Sequence, residues 1–319
     1  MKKLLILACL GAAVSFTACK SDSPGPIVIN DGQTLDALFQ QLKSTPQVFT
    51  VTAGTSQQVT GTGGTVLTFN PQSFKDANGN IITGGTVKIE LIELYKPGQM
   101  IANRVTTTTL AQKALSSGGS VNIKATMNGQ EVFAKSYGIA FKQPDMNLSP
   151  MSLFPGTVVT DSSGSSVKWS DESYGTVDRT EKDSTGNTYA YLFDSCTNFS
   201  WINCDHFYTA PDPKTDVTVV FPDNSYTYKN TLVYVIFPGI NSVTCMYAYN
   251  TGTHSVSFGY PGYYLPVGST IKIVVIGSKG SNDYYMDVLQ NQVVTSGMTV
   301  NVTPASQSLS NIQTALSGL

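Results

Sequence analysis

Apolar positions along the chain follow two periods. Leu35, Leu38, Phe39 and Leu42 recur at i, i+3, i+4 and i+7 behind Thr34, the spacing of a short amphipathic helix with a threonine N-cap. From Val48 onward the period falls to two. Val87, Ile89 and Leu91 face one way and Lys88 and Glu90 the other, and Gly or Asn-Gly turns recur between short apolar segments. The clearest hairpin spans 121–133, with Asn128-Gly129 at its tip supplying the positive φ angles of a type I′ turn. Runs at 217–221, 232–237 and 271–276 are apolar throughout, as suits strands buried on both faces. Leu309, Ile312, Leu316 and Leu319 return to helical spacing and predict a closing helix over 306–319 that packs on the second domain.

These patterns predict an all-β chain of two antiparallel β-sandwich domains with a short N-terminal and a C-terminal helix. Around 145–188 the chain turns rich in Ser, Asp, Gly and Pro, with Asp161-Ser162-Ser163-Gly164-Ser165-Ser166 its most linker-like piece. The expected division is therefore a helix and first sandwich over 34–160, a linker carrying Cys196 and Cys204 over 161–210, and a second sandwich with the closing helix over 211–319. The polar run Thr106-Thr107-Thr108-Thr109 reads as a loop or edge strand without chemistry.

Before residue 34 the pattern belongs to targeting. Lys2 and Lys3 precede an apolar run over 4–16, shorter than the roughly 20 residues a membrane-spanning helix needs. The string Phe16-Thr17-Ala18-Cys19 then resembles the lipobox of bacterial lipoproteins. That resemblance implies a signal peptide at 1–18, lipid (palmitate and diacylglycerol) on Cys19, and a flexible Pro/Gly tether to residue 33. It further implies a cell-envelope protein held at the outer membrane, on its periplasmic face or at the cell surface, with the membrane as a partner through lipid.

Charged residues make up only 13% of the 319, and the formal charge is −2, so the chain lacks the basic stripe that nucleic-acid binding requires. Ser, Thr, Asn, Gly and Tyr fill the difference, a strand-and-turn composition. Two further resemblances sit on the strands. The string Gly63-Gly64-Thr65-Val66-Leu67-Thr68-Phe69-Asn70-Pro71-Gln72-Ser73-Phe74, with Asp76-Ala77-Asn78-Gly79 and Gly85-Thr86-Val87-Lys88-Ile89-Glu90-Leu91, resembles the ZU5-like β-sandwich of surface lipoproteins. Leu265-Pro266-Val267-Gly268-Ser269-Thr270-Ile271-Lys272-Ile273 and Val293-Val294-Thr295-Ser296-Gly297-Met298-Thr299-Val300-Asn301-Val302 resemble the last strands of carboxypeptidase-regulatory-like, transthyretin-type domains. Trp201-Ile202-Asn203-Cys204-Asp205 resembles a segment of the same lipoproteins. Such domains act as interaction or spacer modules, which implies no catalytic residues and no cofactor.

Beyond Cys9 in the leader and Cys19, three thiols remain: Cys196, Cys204 and Cys245. In an oxidising envelope a local Cys196–Cys204 bridge is expected, and a bridge from either to Cys245 is the alternative. Cys204-Asp205-His206 offers a thiol, a carboxylate and an imidazole, yet it lacks the paired ligand spacing of a zinc site. No nucleophile elbow, phosphate loop or His-Glu-x-x-His helix is present, whereas paired carboxylates assembled in space leave no motif. The tyrosine clusters 226/228, 247/249, 260/263/264 and 284/285 suit glycan or protein recognition as well as ordinary sheet packing. The functional expectation is a lipid-anchored, non-enzymatic binding or structural module. Its alternatives are a surface glycan-binding lipoprotein, with Trp201, Tyr260, Tyr263 and Tyr264 as recognition residues, and a hydrolase with its site near Trp201 and His206.

Overall fold

The computed structural model describes residues 31–142, 150–182, 184–186, 188–259 and 265–319. Three helices lie among its strands: α1 (Asp31–Leu42), α2 (Pro97–Ala102) and α3 (Leu309–Ser317). In α1 the predicted stripe Leu35, Leu38, Phe39 and Leu42 is buried, but the helix already runs at Asp31, so Thr34 lies in its first turn instead of capping it.

The first sandwich stacks two sheets. Along the larger one the strand order is Gln47–Thr52, Thr86–Leu94, Leu115–Met127, Trp201–Phe207, Ser152–Asp161, Gly164–Trp169 and Val105–Thr109. Its partner runs Arg179–Lys182, Thr188–Cys196, Tyr137–Lys142, Val66–Phe69 and Gln57–Thr60. Val87, Ile89 and Leu91 of the large sheet meet Leu67, Phe69, Ile139 and Phe141 of the small one in a shared core, while Lys88 stays exposed, as the alternation predicts. Asn128 and Gly129 take φ of 51° and 78°, and the strands they join pair Thr126 with Glu131 and Met127 with Gln130. The hairpin turn is therefore the one its sequence specifies.

The expected linker over 161–210 is instead part of this sandwich. It contributes Gly164–Trp169, Tyr174–Thr176, Arg179–Lys182, Thr188–Cys196 and Trp201–Phe207, and the last of these lies in the middle of the large sheet. Its Ser- and Gly-rich start is only a hairpin tip, with Asp161 paired to Gly164. Turn residues dominate a tip and a linker alike, so composition does not separate them.

In the second sandwich an outer sheet (Ala248–Asn250, Ser255–Ser257, Thr218–Val220, Thr299–Asn301) packs on an inner one (Ser242–Met246, Thr231–Phe237, Thr270–Gly280, Asp283–Val293, Ala305–Gln307). The inner sheet is buried on both faces, as the unbroken apolar runs predict. Val233, Val235, Ile271, Ile273 and Val275 fill the sandwich. Leu232, Tyr234, Ile236, Val274 and Ile276 point the other way, into a second core shared with Leu35, Leu38 and Phe39 of α1, Met100 and Ile101 of α2, Ile312 and Leu316 of α3, and Phe154, Val167 and Trp169 of the large sheet. The run at 217–221 differs: Val217, Val219 and Phe221 are buried and the residues between them are half-buried, because the outer sheet has only one covered face.

That shared core joins the two sandwiches. The closing helix α3, capped by the Ser308 hydroxyl on Asn311 N at 3.1 Å, lies against α2 of the first half of the chain, so it packs between the sandwiches and not on the second alone. A Cβ on Gly98 would stand 1.7 Å from the Leu316 carbonyl oxygen, so glycine is what lets α2 and α3 approach this closely. The threonine run forms the edge strand Val105–Thr109, buried throughout. Thr107 Oγ donates to Val243 O (3.1 Å) and accepts from Val243 N (2.8 Å), and the Ser242 hydroxyl stands 2.6 Å away. Trp169 Nε1 donates to Thr106 O at 2.6 Å.

Candidate binding groove

The structure separates the residues of the Cys204-Asp205-His206 string. Strand alternation turns Cys204 into the first sandwich's core and Asp205 onto the opposite face, while His206 sits half-buried with Nδ1 3.0 Å from Phe207 O. Asp205 belongs to a sealed polar network. Its Oδ2 accepts from Asn203 Nδ2, and Asn203 Oδ1 accepts from the Ser120 hydroxyl at 2.8 Å and that of Ser117 at 3.3 Å. Asn241 of the second sandwich closes this region, donating to Ser117 O (3.2 Å) and Tyr95 O (3.1 Å). Burial pushes the Asp205 carboxyl well above its ordinary value, against the hydrogen bonds that favour its charged form. Glu93 is enclosed elsewhere, accepting from Gly63 N, Thr65 N and the Gln47 amide at 2.7–2.8 Å. The two buried carboxylates thus do not converge, and the described residues hold no cluster of His, Cys, Asp or Glu suited to a metal ion.

The expected Cys196–Cys204 bridge is not formed; both are free thiols, as is Cys245. Cys196 ends a strand of the small sheet beside Tyr137, Cys204 pairs with Leu153 in the large sheet, and each is packed in the core between them. Burial pushes Cys196 up to about 12 and Cys204 well above the usual thiol range. Cys245 lies in the inner sheet of the second sandwich, at the other core, where burial pushes it up to about 11. Trp201 is half-buried and packs against the core between the sandwiches. Cys19, Tyr260, Tyr263 and Tyr264 lie outside the described residues.

The remaining tyrosines divide by role. Tyr284 and Tyr285 are buried in the inner sheet, and Tyr285 donates to Asn230 O at 2.7 Å. Phe221 stacks on Tyr226 (5.3 Å between centroids) and lies parallel to Tyr249 (6.3 Å). Tyr228 and Tyr247, by contrast, are 48% and 44% exposed. Both stand at a groove of about 330 Å³ where the two sandwiches meet, along with Tyr234, Tyr249, Cys245, Arg104, Asp161, Ser163 and Lys168. Of the groups expected from sequence, this hollow gathers Tyr228 and the pair 247/249; no motif marks Arg104 or Lys168.

Arg104 follows the C-cap of α2 in the left-handed region, φ 54°, a conformation that strains a residue other than glycine. It is 3% exposed. Its guanidinium lies 5.3 Å from the centroid of the Phe39 ring, and its two terminal nitrogens donate to Ser163, to the carbonyl and, at 2.7 Å, to the hydroxyl. Asp161 Oδ1 in turn accepts from Ser163 N and Oγ at 2.7 and 2.6 Å, which fixes the hairpin tip. Lys168 Nζ donates to Gln112 Oε1 at 3.2 Å, and burial lowers its pKa. Burial also raises the Tyr234 phenol far above its usual range, with Arg104 acting in the opposite direction. The groove thus offers two cations, serine and tyrosine hydroxyls and two exposed aromatic rings.

No known family model matches the chain, and no curated protein is significantly similar to it in sequence.

Asp205 predicts a specific pH dependence. A carboxyl whose folded pKa is raised contributes stability that is complete below its ordinary value of 3.8 and is lost as pH rises through the folded value. Asp205→Asn keeps a neutral group there. The variant's urea midpoint should therefore gain on the wild type's as pH rises above about 4; midpoints that run parallel would contradict the assignment.

Proposed function

We propose that the chain is a lipid-anchored envelope protein whose paired β-sandwiches act as a non-enzymatic binding module, with a saccharide as the ligand its groove suits best. The observation that carries this reading is the groove at the junction of the sandwiches, with Tyr228 and Tyr247 exposed beside Tyr249 and a wall of hydroxyls. Tyrosine rings offer flat apolar area at low entropic cost with a hydroxyl at the tip, the combination that suits a sugar's apolar face and polar rim. The anchor rests on Lys2, Lys3, the apolar run over 4–16 and Phe16-Thr17-Ala18-Cys19. No described helix is long and apolar enough to cross a membrane. Two or more acyl chains would give durable attachment where one gives only marginal binding. The outer membrane, at its periplasmic face or the cell surface, is the proposed address. Against a hydrolase near Trp201 and His206 stands the enclosure of Asp205 within the sheets, 0% exposed and bonded to Asn203.

Two measurements check the two parts. Labelled palmitate should enter the protein in cells and be lost in Cys19→Ala; undiminished labelling would refute the anchor. In gels containing soluble polysaccharides the protein should be retarded by at least one of them. Replacing Tyr228 and Tyr247 together by Ala should weaken that retention by about tenfold, the equivalent of ~1.4 kcal/mol. Retention unchanged by the double substitution would remove the groove from the account.

A further inference from the structure

Arg104 is a buried cation in no close ion pair, although the Asp36 carboxylate stands near its Nη1, the two atoms converging where a Cβ on Gly164 would sit. Among the described residues neither it nor Lys168 forms an ion pair; the pairs present are Lys88–Glu90, Arg179–Asp194 and Lys214–Asp212. Asp161 shares the groove, yet its Oδ1 is committed to the Ser163 N–H and hydroxyl. Arg104 spends its terminal nitrogens on neutral Ser163 oxygens, and its Nε–H has no partner among the described residues. A buried N–H without an acceptor is costly. Lys168 has the neutral Gln112 oxygen as its acceptor. Both cations line the same groove as the exposed tyrosines. An incoming anion would give the Arg104 Nε–H an acceptor and the Lys168 ammonium a closer partner at once.

The cations continue along the tyrosines. A second hollow of about 320 Å³ shares Tyr228 and Tyr249 with the first and adds Tyr226 and Lys229. Lys229 Nζ lies 5.9 Å from the Tyr228 ring centroid, and Lys279 Nζ lies 4.2 Å from that of Tyr226. Four cations therefore flank one continuous tyrosine-lined surface on a chain whose formal charge is −2. Each hollow is at the lower end of the size of small-ligand sites, enough for one or two sugar rings.

We infer that this surface takes an acidic saccharide, a chain of uronic-acid units, with a carboxylate held by Arg104 and Lys168 and sugar rings laid on Tyr228 and Tyr247. A carboxylate would give the free Arg104 Nε–H a charged acceptor and Lys168 an ionic partner, and an aromatic ring favours the sugar that carries it. The inference rests on the saccharide-binding reading above and narrows it to acidic ligands.

The test is calorimetric titration of the detergent-solubilised full-length protein with uronic-acid trimers (galacturonate, mannuronate and glucuronate), each beside its methyl ester. At least one acid should bind, with its ester at least tenfold weaker. Lys168→Gln should bring acid and ester to within about twofold of each other, its melting temperature serving as the control for folding because Arg104, being buried, is a poorer site to replace. Tyr247→Ala should weaken acid and ester by the same factor. Equal affinity for acid and ester would overturn the acidic assignment while leaving a saccharide site. Binding of glucose 6-phosphate or inorganic phosphate in place of every uronate would reassign the cations to phosphate and also overturn it. No binding of any sugar, acidic or neutral, would remove the saccharide reading together with the inference.

Discussion

A β-sheet that is apolar on both faces cannot close a domain by itself, and this requirement organises the whole molecule. The inner sheet of the second sandwich presents Val233, Val235, Ile273 and Val275 to its own partner sheet and Leu232, Tyr234, Ile236, Val274 and Ile276 to the opposite side. The second set needs a cover, which α1, α2, α3 and the Trp169 face of the large sheet supply. Burial of side chains of this size contributes roughly 1.5–3 kcal/mol each relative to exposure. The cover is drawn from both ends of the chain, so the first helix and the last are brought together by one sheet. The two sandwiches are therefore not beads on a linker.

Polar groups at that junction set the register that apolar contact alone leaves loose. Thr107 meets Ser242 and Val243 through its hydroxyl, across a separation of 135 residues for the first pair, and Asn241 reaches Tyr95 O and Ser117 O. Hydrogen bonds of this kind contribute about 1 kcal/mol apiece, but leaving their buried partners unmade costs more, so they penalise any shifted docking of the sandwiches. The groove follows from the same junction. The hairpin tip with Asp161 and Ser163 and the turn out of α2 with Arg104 belong to the first sandwich, and they meet the strand with Cys245 only because the second sandwich is joined to it.

Local patterns were legible and long-range partners were not. Alternation at Val87, Ile89 and Leu91, the Asn128-Gly129 turn, and the two-sided strands at 232–237 and 271–276 all depend on neighbours in sequence, and each stands as expected. The linker was misjudged because Ser, Gly and Asp mark a hairpin tip as readily as a tether. The threonines at 106–109 look like an exposed edge until Ser242 and Asp171 are placed beside them. Cys196 and Cys204 are close in sequence, but the turn between them carries the chain from one sheet to the other, and spacing contains no record of that crossing. Of the groove, sequence supplied the tyrosines. It hid Arg104, which stands in no motif.

Scanning calorimetry of the purified protein tests most directly whether the two sandwiches are one folding unit. A core shared between them predicts a single endotherm whose calorimetric and van't Hoff enthalpies agree. Two resolved transitions, or a calorimetric enthalpy near twice the van't Hoff value, would mean that each sandwich closes on its own and that the inner sheet does not need the helices that cover it.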